Sequence, residues 1–227
     1  DISVDVDGLS PLKPFDGGSE LTDLSIECFN RLRPYFGECL STMKEMKHLD
    51  LESKDGKAPG GFMYPLYEIG VPFIYMNAVG SQRDVVTMVH EGGHAVHSFL
   101  SRDLAMTEFK STPSEVAELA SMSMELLSMD HWDVFYSDDN ELKRSKLEQL
   151  EKALETLPWV AAIDKFQHWI YTTEHTAKER KEQWLKINSK LGNQVINWEG
   201  QENALANLWK KQLHLYEVPF YYVEYGM

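Results

Sequence analysis

The chain has 227 residues, enough for one large domain or two small ones with a buried core. Its formal net charge is −14, which argues against nucleic acid as a partner because phosphate binding depends on lysine and arginine. No apolar run reaches the roughly 18 residues that a membrane-spanning helix needs, so we predict no membrane partner.

The N-terminal part of the sequence predicts helix after a loop. Proline and glycine recur in residues 1–18, which indicates loop structure. Helical periodicity follows over residues 21–46, with Pro34 as a kink or early break. Residues 50–61 are polar and rich in turn formers. Cys28 and Cys39, the only two cysteines, would be about 16 Å apart on one helix and could not form a disulfide.

A small β-structure is predicted next. Residues 62–67 and 72–76 are short aromatic and β-branched runs, which predict two strands that residues 68–71 could join as a hairpin. An amphipathic helix follows directly over residues 81–100, with Ser81 as N-cap. An exposed strand edge at this place could hold an extended peptide by main-chain hydrogen bonds.

The predicted helix contains the sequence His90-Glu91-Gly92-Gly93-His94. Histidines four residues apart share one helix face and can bind one metal ion, while the glutamate between them can reach a water on that ion. Each glycine costs a helix roughly 1 kcal/mol relative to alanine, so we expect another backbone or a substrate to approach closely there. The pattern is typical of a zinc peptidase, and the alternative is two buried core histidines beside a chance glutamate.

Helical patterns dominate the remainder of the chain, at residues 112–129, 141–172, 178–191 and 201–212. Pro158 is a candidate break in the longest of these, and Gly192 is predicted to end the helix over residues 178–191 as its C-cap. We therefore predict a mainly α fold, a helical zincin-like catalytic domain with one small β-hairpin or sheet before the zinc-binding helix.

A catalytic zinc ion usually has three protein ligands, so a third is sought on the helix over residues 112–129. Residues 112–115 read as a capping box, which gives Glu115 a local structural role. Glu118 lies in a small and apolar stretch, where a lone carboxylate is costly unless it is paired or bound to a metal. We predict Glu118 as the third ligand. Glu125 either hydrogen-bonds a ligating histidine or points to solvent.

Four segments together resemble the oligoendopeptidase F group, relatives of thimet oligopeptidase. These are Pro72-Phe73-Ile74-Tyr75-Met76-Asn77, the histidine motif with His97 one turn later, Ala117-Glu118-Leu119-Ala120-Ser121-Met122, and His214 with the tail Phe220-Tyr221-Tyr222-Val223-Glu224-Tyr225. The resemblance covers roughly residues 57–227. It implies a zinc metalloendopeptidase that cleaves short peptides in a deep channel between two mainly helical lobes.

The resemblance also implies roles for individual residues. His90, His94 and Glu118 would bind one Zn²⁺ ion, and Glu91 would be the general base.

Three residues near the C-terminus match the late residues of the group that contact the substrate and stabilise the oxyanion: His214, Tyr222 and Tyr225. The glycine-rich loop that follows the histidine in thimet-type enzymes is absent, since residues 215–219 read Leu-Tyr-Glu-Val-Pro. We expect Tyr221 to be a packed aromatic residue.

Two other functions remain open at this stage. One is a non-catalytic helical peptide-binding module with a structural or vestigial metal site, for which His97 or another side chain as a fourth ligand would argue. The other is a metal-dependent hydrolase of a non-peptide amide.

Both chain ends look cut, because Asp1 is not a methionine and the last residues follow a dense aromatic run. We therefore expect a piece of a longer protein, with one catalytic domain over residues 1–227, a helical lead-in over 1–56 and the metal-site region over 57–227. Two free thiols predict a reducing compartment and hence a cytoplasmic location.

Overall fold

A computed structural model describes residues 8–58 and 60–226. Most of these residues are helical, and three short strands form one sheet, which confirms the mainly α prediction. The predicted N-terminal loop lies partly outside the described residues, since residues 1–7 are not among them. The described residues divide into two compact units, residues 8–149 and residues 150–226, each with its own apolar core.

Two helices open the first unit: α1 over Gly17–Leu32 and α2 over Pro34–Glu45. The predicted break at Pro34 is confirmed. Arg33 is extended, with φ −161° and ψ 125°, because a following proline disfavours helical geometry, and Pro34 then takes the first position of α2. The prediction of a loop up to residue 18 is wrong at its end, because α1 begins at Gly17.

The start of α1 is fixed by a distant contact. The Gly18 N–H donates to the Glu52 carboxylate over 3.2 Å, which satisfies one of the amides at the helix N-terminus. Such a contact has no local sequence signal. Cys28 on α1 and Cys39 on α2 are buried and free, as expected.

Strands β1 (Leu49–Glu52), β2 (Phe62–Tyr64) and β3 (Phe73–Ala78) form a sheet in the order β1-β3-β2. The predicted hairpin is confirmed, because β2 pairs antiparallel to β3. Its strands differ in length from the prediction, since β2 stops at Tyr64 and β3 continues to Ala78.

Strand β1 corrects the prediction that residues 50–61 are all turn. It pairs parallel to β3, and the Ile74 N–H donates to the His48 carbonyl at 2.9 Å. Four residues of alternating polarity are too short to predict a strand, so this one depends on its pairing with a segment over 20 residues away.

Helix α3 covers Gln82–Ser101 and carries the histidine motif. Ser81 is its N-cap, as predicted: the Ser81 N–H and hydroxyl both donate to the Asp84 carboxylate at 2.8 Å. Apolar side chains at helical spacing, among them Val85, Val89 and Phe99, are buried in the core of the first unit.

Helix α4 is a single turn over Thr107–Lys110, and α5 covers Ser114–Ser128 before a 3₁₀ turn over Met129–Val134. The predicted capping box at residues 112–115 is wrong. Pro113 has a ψ of 146° and is itself the N-cap, so the chain is still extended there and the helix begins one residue too late for the box.

Both glycines of the motif lie where α3 is closely packed, Gly93 against α5 and Gly92 against α1. A Cβ atom on Gly93 would lie 2.9 Å from the Ser121 Cα in α5, and one on Gly92 would lie 2.6 Å from the Phe29 ring in α1. Both distances are too short for real contacts. The expected close approach of another backbone is therefore present at Gly93, and Gly92 makes room for an aromatic ring.

Helix α6 runs over Asp139–Thr172, and the boundary between the two units falls within it. Pro158 lies inside this helix, so the candidate break is not observed. Further along the chain come α7 (Ala177–Leu191), α8 (Glu202–Ala206), a 3₁₀ turn (Leu208–Lys211), α9 (His214–Glu217) and a 3₁₀ turn (Tyr221–Gly226).

Residues 150–226 pack around an aromatic core. Phe166, Trp184 and Trp209 are buried together, with the Phe166 and Trp184 ring centroids 5.3 Å apart. Helix α7 ends at Gly192, as predicted, although Gly192 is extended rather than left-handed. None of the helices in the described part of the chain combines the length and the apolar character needed to cross a membrane.

The close contact at Gly93 determines whether a larger residue there raises or lowers the free energy of unfolding. Gly93→Ala should lower the free energy of unfolding by about 1–3 kcal/mol, because the new methyl group overlaps the α5 backbone. Without that contact, the substitution would stabilise an α-helix by about 1 kcal/mol. Urea denaturation measures the change. Leu100→Ala, at an exposed position of α3, is the control and should change stability little. A stabilised Gly93→Ala variant would contradict the proposed packing.

Candidate metal centre

The two histidines of the motif lie one turn apart on α3. Their ring centroids are 4.9 Å apart, and both side chains are largely buried. Helix α5 brings Glu118 to the same place. One potential ligand atom from each of His90, His94 and Glu118 lies within 4.8 Å of the other two.

Glu118 is the buried carboxylate of this cluster, with 4% of its surface exposed. One of its oxygens lies 3.5 Å from His90 Nε2 and the other lies 3.9 Å from His94 Nε2. The Ser121 hydroxyl also donates to the carboxylate at 3.3 Å. Glu115 is exposed on the same helix and is not part of the cluster. The structure thus brings together the three residues that the sequence predicts as ligands.

Glu125 takes the first of the two roles left open by the sequence. Its carboxylate lies 2.6 Å from His90 Nδ1, and its other oxygen accepts a hydrogen bond from the Gln149 side-chain amide, also at 2.6 Å. A carboxylate accepts hydrogen bonds, so Nδ1 carries the proton. Nε2 of His90 then turns toward Glu118. Sequence reasoning missed Gln149, because it lies on α6 and has no motif around it.

Burial and charge act differently on the two histidines. Burial, together with the neighbouring His90 and His97, lowers the pKa of His94 to about 3, so its imidazole is neutral at ordinary pH. Burial also lowers the pKa of His90, but the hydrogen bond with Glu125 and the nearby carboxylates outweigh that effect and leave it above its ordinary value. A neutral imidazole is the form that binds a metal.

Glu91 lies between the histidines in sequence and is buried in the first unit. Burial raises the pKa of its carboxyl group to about 7. The His90 charge acts in the opposite direction, and a hydrogen bond with the Met63 backbone also lowers the pKa. A carboxyl group that titrates near neutral pH can both accept and release a proton.

The Met63 contact links Glu91 to the edge of the sheet. Met63 in β2 pairs with Ile74 in β3, and the Ile74 N–H is already bonded to the His48 carbonyl on the other side. In an antiparallel pair of this kind, the Met63 N–H and C=O point away from β3. Because β2 is an edge strand, the Met63 N–H and C=O point outward from the edge of the sheet, where Glu91 lies.

A cleft of 170 Å³ opens beside His94. Its walls come from three places: the end of β2 and the loop after it, the second half of α3, and the link between α4 and α5. Residues from these walls include Met63, Tyr67, His94, His97, Lys110 and Thr112. We call this cavity the side cleft.

The donor set of the cluster fits zinc. Two imidazole nitrogens and one carboxylate are ligands of catalytic zinc sites, which keep a further position for water or substrate. His97 lines the side cleft and is not part of the three-residue cluster found among the described residues.

The late residues implied by the resemblance form a second cluster, within residues 150–226. His214 Nε2 lies 3.2 Å from the Tyr225 hydroxyl. The Tyr222 ring centroid is 5.1 Å from those of both His214 and Tyr225. Burial raises the pKa of Tyr222, and a hydrogen bond with Trp159 partly offsets it. The Tyr221 ring stacks on His214 with a centroid distance of 5.9 Å.

A chain of hydrogen bonds sets the orientation of His214. The Trp159 N–H donates to the Gln212 side-chain oxygen at 2.9 Å, so the Gln212 amide nitrogen faces His214 Nδ1, 2.7 Å away. The amide nitrogen is a donor, which makes Nδ1 the acceptor and puts the His214 proton on Nε2. His214 therefore donates to Tyr225, whose own hydroxyl proton points away from the imidazole. Trp159 and Gln212 were not predicted, because no motif joins them to His214.

The backbone is unusual directly after residues 215–219, the segment that replaces the glycine-rich loop. Phe220 has a φ of 65°, in the left-handed region that favours glycine. Its ring packs on His168 and Tyr171, with centroid distances of 5.0 and 5.3 Å. These contacts offset the backbone strain at Phe220, which directly precedes the 3₁₀ turn of the aromatic tail.

The profile of peptidase family M3 matches residues 37–227. An oligoendopeptidase F homolog from Borreliella burgdorferi is 29% identical over 125 residues, which are 54% of this chain and 21% of that protein. An oligoendopeptidase F homolog from Lactococcus lactis is 23% identical over 184 residues, 80% of this chain and 30% of that protein. The solved structure of PZ peptidase A with an inhibitor is 29% identical and superposes with a TM-score of 0.87, covering 95% of this chain and 38% of that one.

The chain thus spans less than two fifths of the length of each of these proteins. The family match includes the histidine motif, α5 and the aromatic tail. The chain belongs to peptidase family M3, and its relatives place it in the oligoendopeptidase F group.

Proposed function

We propose that this chain carries the catalytic centre of a zinc-dependent endopeptidase that hydrolyses internal bonds of short peptides. The observation that carries the proposal is the cluster of His90, His94 and Glu118, with ligand atoms within 4.8 Å of one another and Glu91 on the same helix. Membership of peptidase family M3 supports a peptide substrate. The buried free thiols of Cys28 and Cys39 agree with the expected cytoplasmic location.

In this proposal, His90, His94 and Glu118 hold one zinc ion, and Glu125 orients His90. When bound, zinc would lower the pKa of a water molecule and polarise the carbonyl of the scissile bond. Glu91 accepts the proton of the attacking water and delivers it to the leaving amine. The raised pKa of Glu91 supports this double role.

The edge of β2 would hold the peptide substrate in an extended form. Main-chain N–H and C=O groups at a sheet edge can pair with a peptide independently of its sequence. The hydrogen bond from the Met63 N–H to Glu91 supports this arrangement, because it brings this sheet edge next to the proposed general base.

We propose that the tail cluster contacts the substrate. In this role, Tyr225, Tyr222 or His214 donates a hydrogen bond to the oxyanion, and the chain from Trp159 through Gln212 fixes the direction of the donors. The resemblance to the oligoendopeptidase F group motivates these roles.

The peptide-binding module and the non-peptide hydrolase would differ from a peptidase in their metal ligands or in their substrates. A structural metal site usually has four protein ligands, and the cluster among the described residues has three. A quenched fluorescent peptide, tested with and without a chelator, separates the hypotheses. Chelator-sensitive cleavage supports the peptidase. Binding without cleavage would favour the peptide-binding module, and turnover of small amides alone would favour the non-peptide hydrolase.

The ligand assignment predicts an order of zinc affinities. Glu118→Ala should lose zinc far more than Glu115→Ala, because only Glu118 belongs to the buried cluster. Glu125→Ala should fall between them, with affinity reduced about 10- to 100-fold, because it orients His90 without binding the metal. Competition with a zinc-binding dye measures all three. Equal zinc affinity in the Glu118 and Glu115 variants would contradict the assignment.

The general base can be tested without disturbing the metal. Glu91→Gln should keep bound zinc and lose peptidase activity by at least about 100-fold, because the amide cannot accept the proton of the water. Metal analysis and peptide turnover are measured on the same preparation. Near-normal turnover by the pure variant would rule out Glu91 as the base.

The tail offers a matched pair of tyrosines. Tyr225→Phe should lower kcat about 100-fold with little change in KM, as expected when one donor to the oxyanion is lost. Tyr221→Phe removes a hydroxyl from the neighbouring stacked ring and should stay near the wild-type rate. Equal effects of the two substitutions on kcat would argue for a packing role of the whole tail.

A further inference from the structure

The side cleft adjoins the proposed metal centre. His94 forms part of its wall, and so does Ala117, which directly precedes Glu118. Met63, whose backbone lies on the open edge of β2, lines it as well. A side chain or chain end of a peptide held along that edge therefore has direct access to the cleft.

The charge of the cleft is opposite to that of the chain. The chain has 36 acidic and 22 basic residues, yet none of the described residues that line the cleft carries a carboxylate. Lys110 supplies an ammonium group, and the walls add hydroxyl groups from Tyr67, Ser98, Ser111 and Thr112. Ammonium and hydroxyl groups are hydrogen-bond donors, and an ammonium group attracts anions.

Lys110 lines this cavity from the end of α4. It is the last residue of α4, it is half-buried, and the link from Ser111 to α5 follows directly. Within residues 8–58 and 60–226, no aspartate or glutamate forms an ion pair with Lys110, in contrast to Lys44 and Lys57, which pair with acidic residues. An ammonium group in such a place gains more from an anion in the cleft than a fully hydrated lysine would.

We propose that the side cleft is a subsite for a carboxylate group of the peptide substrate, with Lys110 as the residue that selects it. The inference rests on the proposed peptidase function and adds a substrate preference to it. Two sources supply the same chemistry: the side chain of an aspartate or glutamate near the scissile bond, or the C-terminal carboxylate of a short peptide. Neither Lys110 nor the cleft hydroxyls take part in the proton transfers assigned to Glu91.

The test uses quenched fluorescent peptides that differ at one position. Each position around the scissile bond carries either glutamate or glutamine, and each peptide is made with a free or an amidated C-terminus. We expect kcat/KM to favour the carboxylate about tenfold at one of these places, the gain of one charge-assisted hydrogen bond. A preference at a side-chain position identifies an acidic side chain, and a preference for the free C-terminus identifies the chain end.

Variants of the lysine assign the preference. Lys110→Gln should abolish the tenfold ratio, Lys110→Arg should retain it, and Lys110→Glu should reverse it in favour of the amide, that is, of glutamine or of the amidated C-terminus. Lys143→Gln, an exposed lysine of α6, removes the same charge from the same unit and should keep the wild-type ratio. A ratio that survives in Lys110→Gln, or a wild type without any preference, overturns the proposal.

Measurements of peptide binding distinguish failure of the carboxylate subsite from failure of the peptidase function. Fluorescence anisotropy of the same labelled peptides with Glu91→Gln measures affinity in the absence of turnover. Preferential binding of the carboxylate peptide, lost when Lys110→Gln is added, supports the subsite even if the wild type cleaves nothing, in which case the peptidase function fails alone. Cleavage without carboxylate preference overturns the subsite alone. Absence of both binding and cleavage overturns both.

Discussion

Helices α3 and α5 meet at a distance that only glycine at position 93 permits, and the site geometry depends on this contact. The α5 backbone at Ser121 occupies the space that a side chain on Gly93 would need. One turn earlier on α5, Glu118 consequently reaches the two histidines of α3. A larger residue would force the helices apart, and a shift of one or two ångströms is large compared with the tolerance of a metal site. Gly93 thus weakens α3 locally and in return permits the approach of α5.

The clusters around His90 and His214 orient an imidazole ring in the same way, through a hydrogen bond to Nδ1. At the candidate metal centre, Gln149 donates to Glu125, which accepts a hydrogen bond from the His90 Nδ1–H and so turns Nε2 toward Glu118. In the tail, Gln212 donates to Nδ1 of His214 and so places the proton on Nε2, facing Tyr225. An imidazole has two nitrogens with opposite roles in the neutral state, so a partner on one nitrogen decides what the other can do. The free nitrogen of His90 can therefore bind a cation, and that of His214 can donate a hydrogen bond.

The edge strand β2 lies beside both the proposed metal centre and the side cleft. The pairing of Ile74 with β1 turns the Met63 backbone outward, and this places a sheet edge next to Glu91. Met63 also lines the side cleft. Lys110 gives this cleft a positive charge, although the chain as a whole is strongly acidic. Main-chain pairing would hold peptides of any sequence, so discrimination among peptides must come from features such as this cleft.

The sequence alone was sufficient for those features that depend on neighbouring residues. The helix carrying His90 and His94, its N-cap at Ser81, the break at Pro34 and the β2–β3 hairpin follow from periodicity, capping and turn preferences. The place of Glu118 beside the two histidines agrees with the prediction made from the cost of burying a carboxylate among apolar residues. The same local rules failed at β1 and at the expected capping box, where pairing with β3 and an extended Pro113 prevailed. The roles of Glu125, Gln149 and Gln212, and the position of Lys110 at the side cleft, were decided only by the tertiary structure, because hydrogen bonds and cavities between distant segments depend on packing that leaves no periodic signal in the chain.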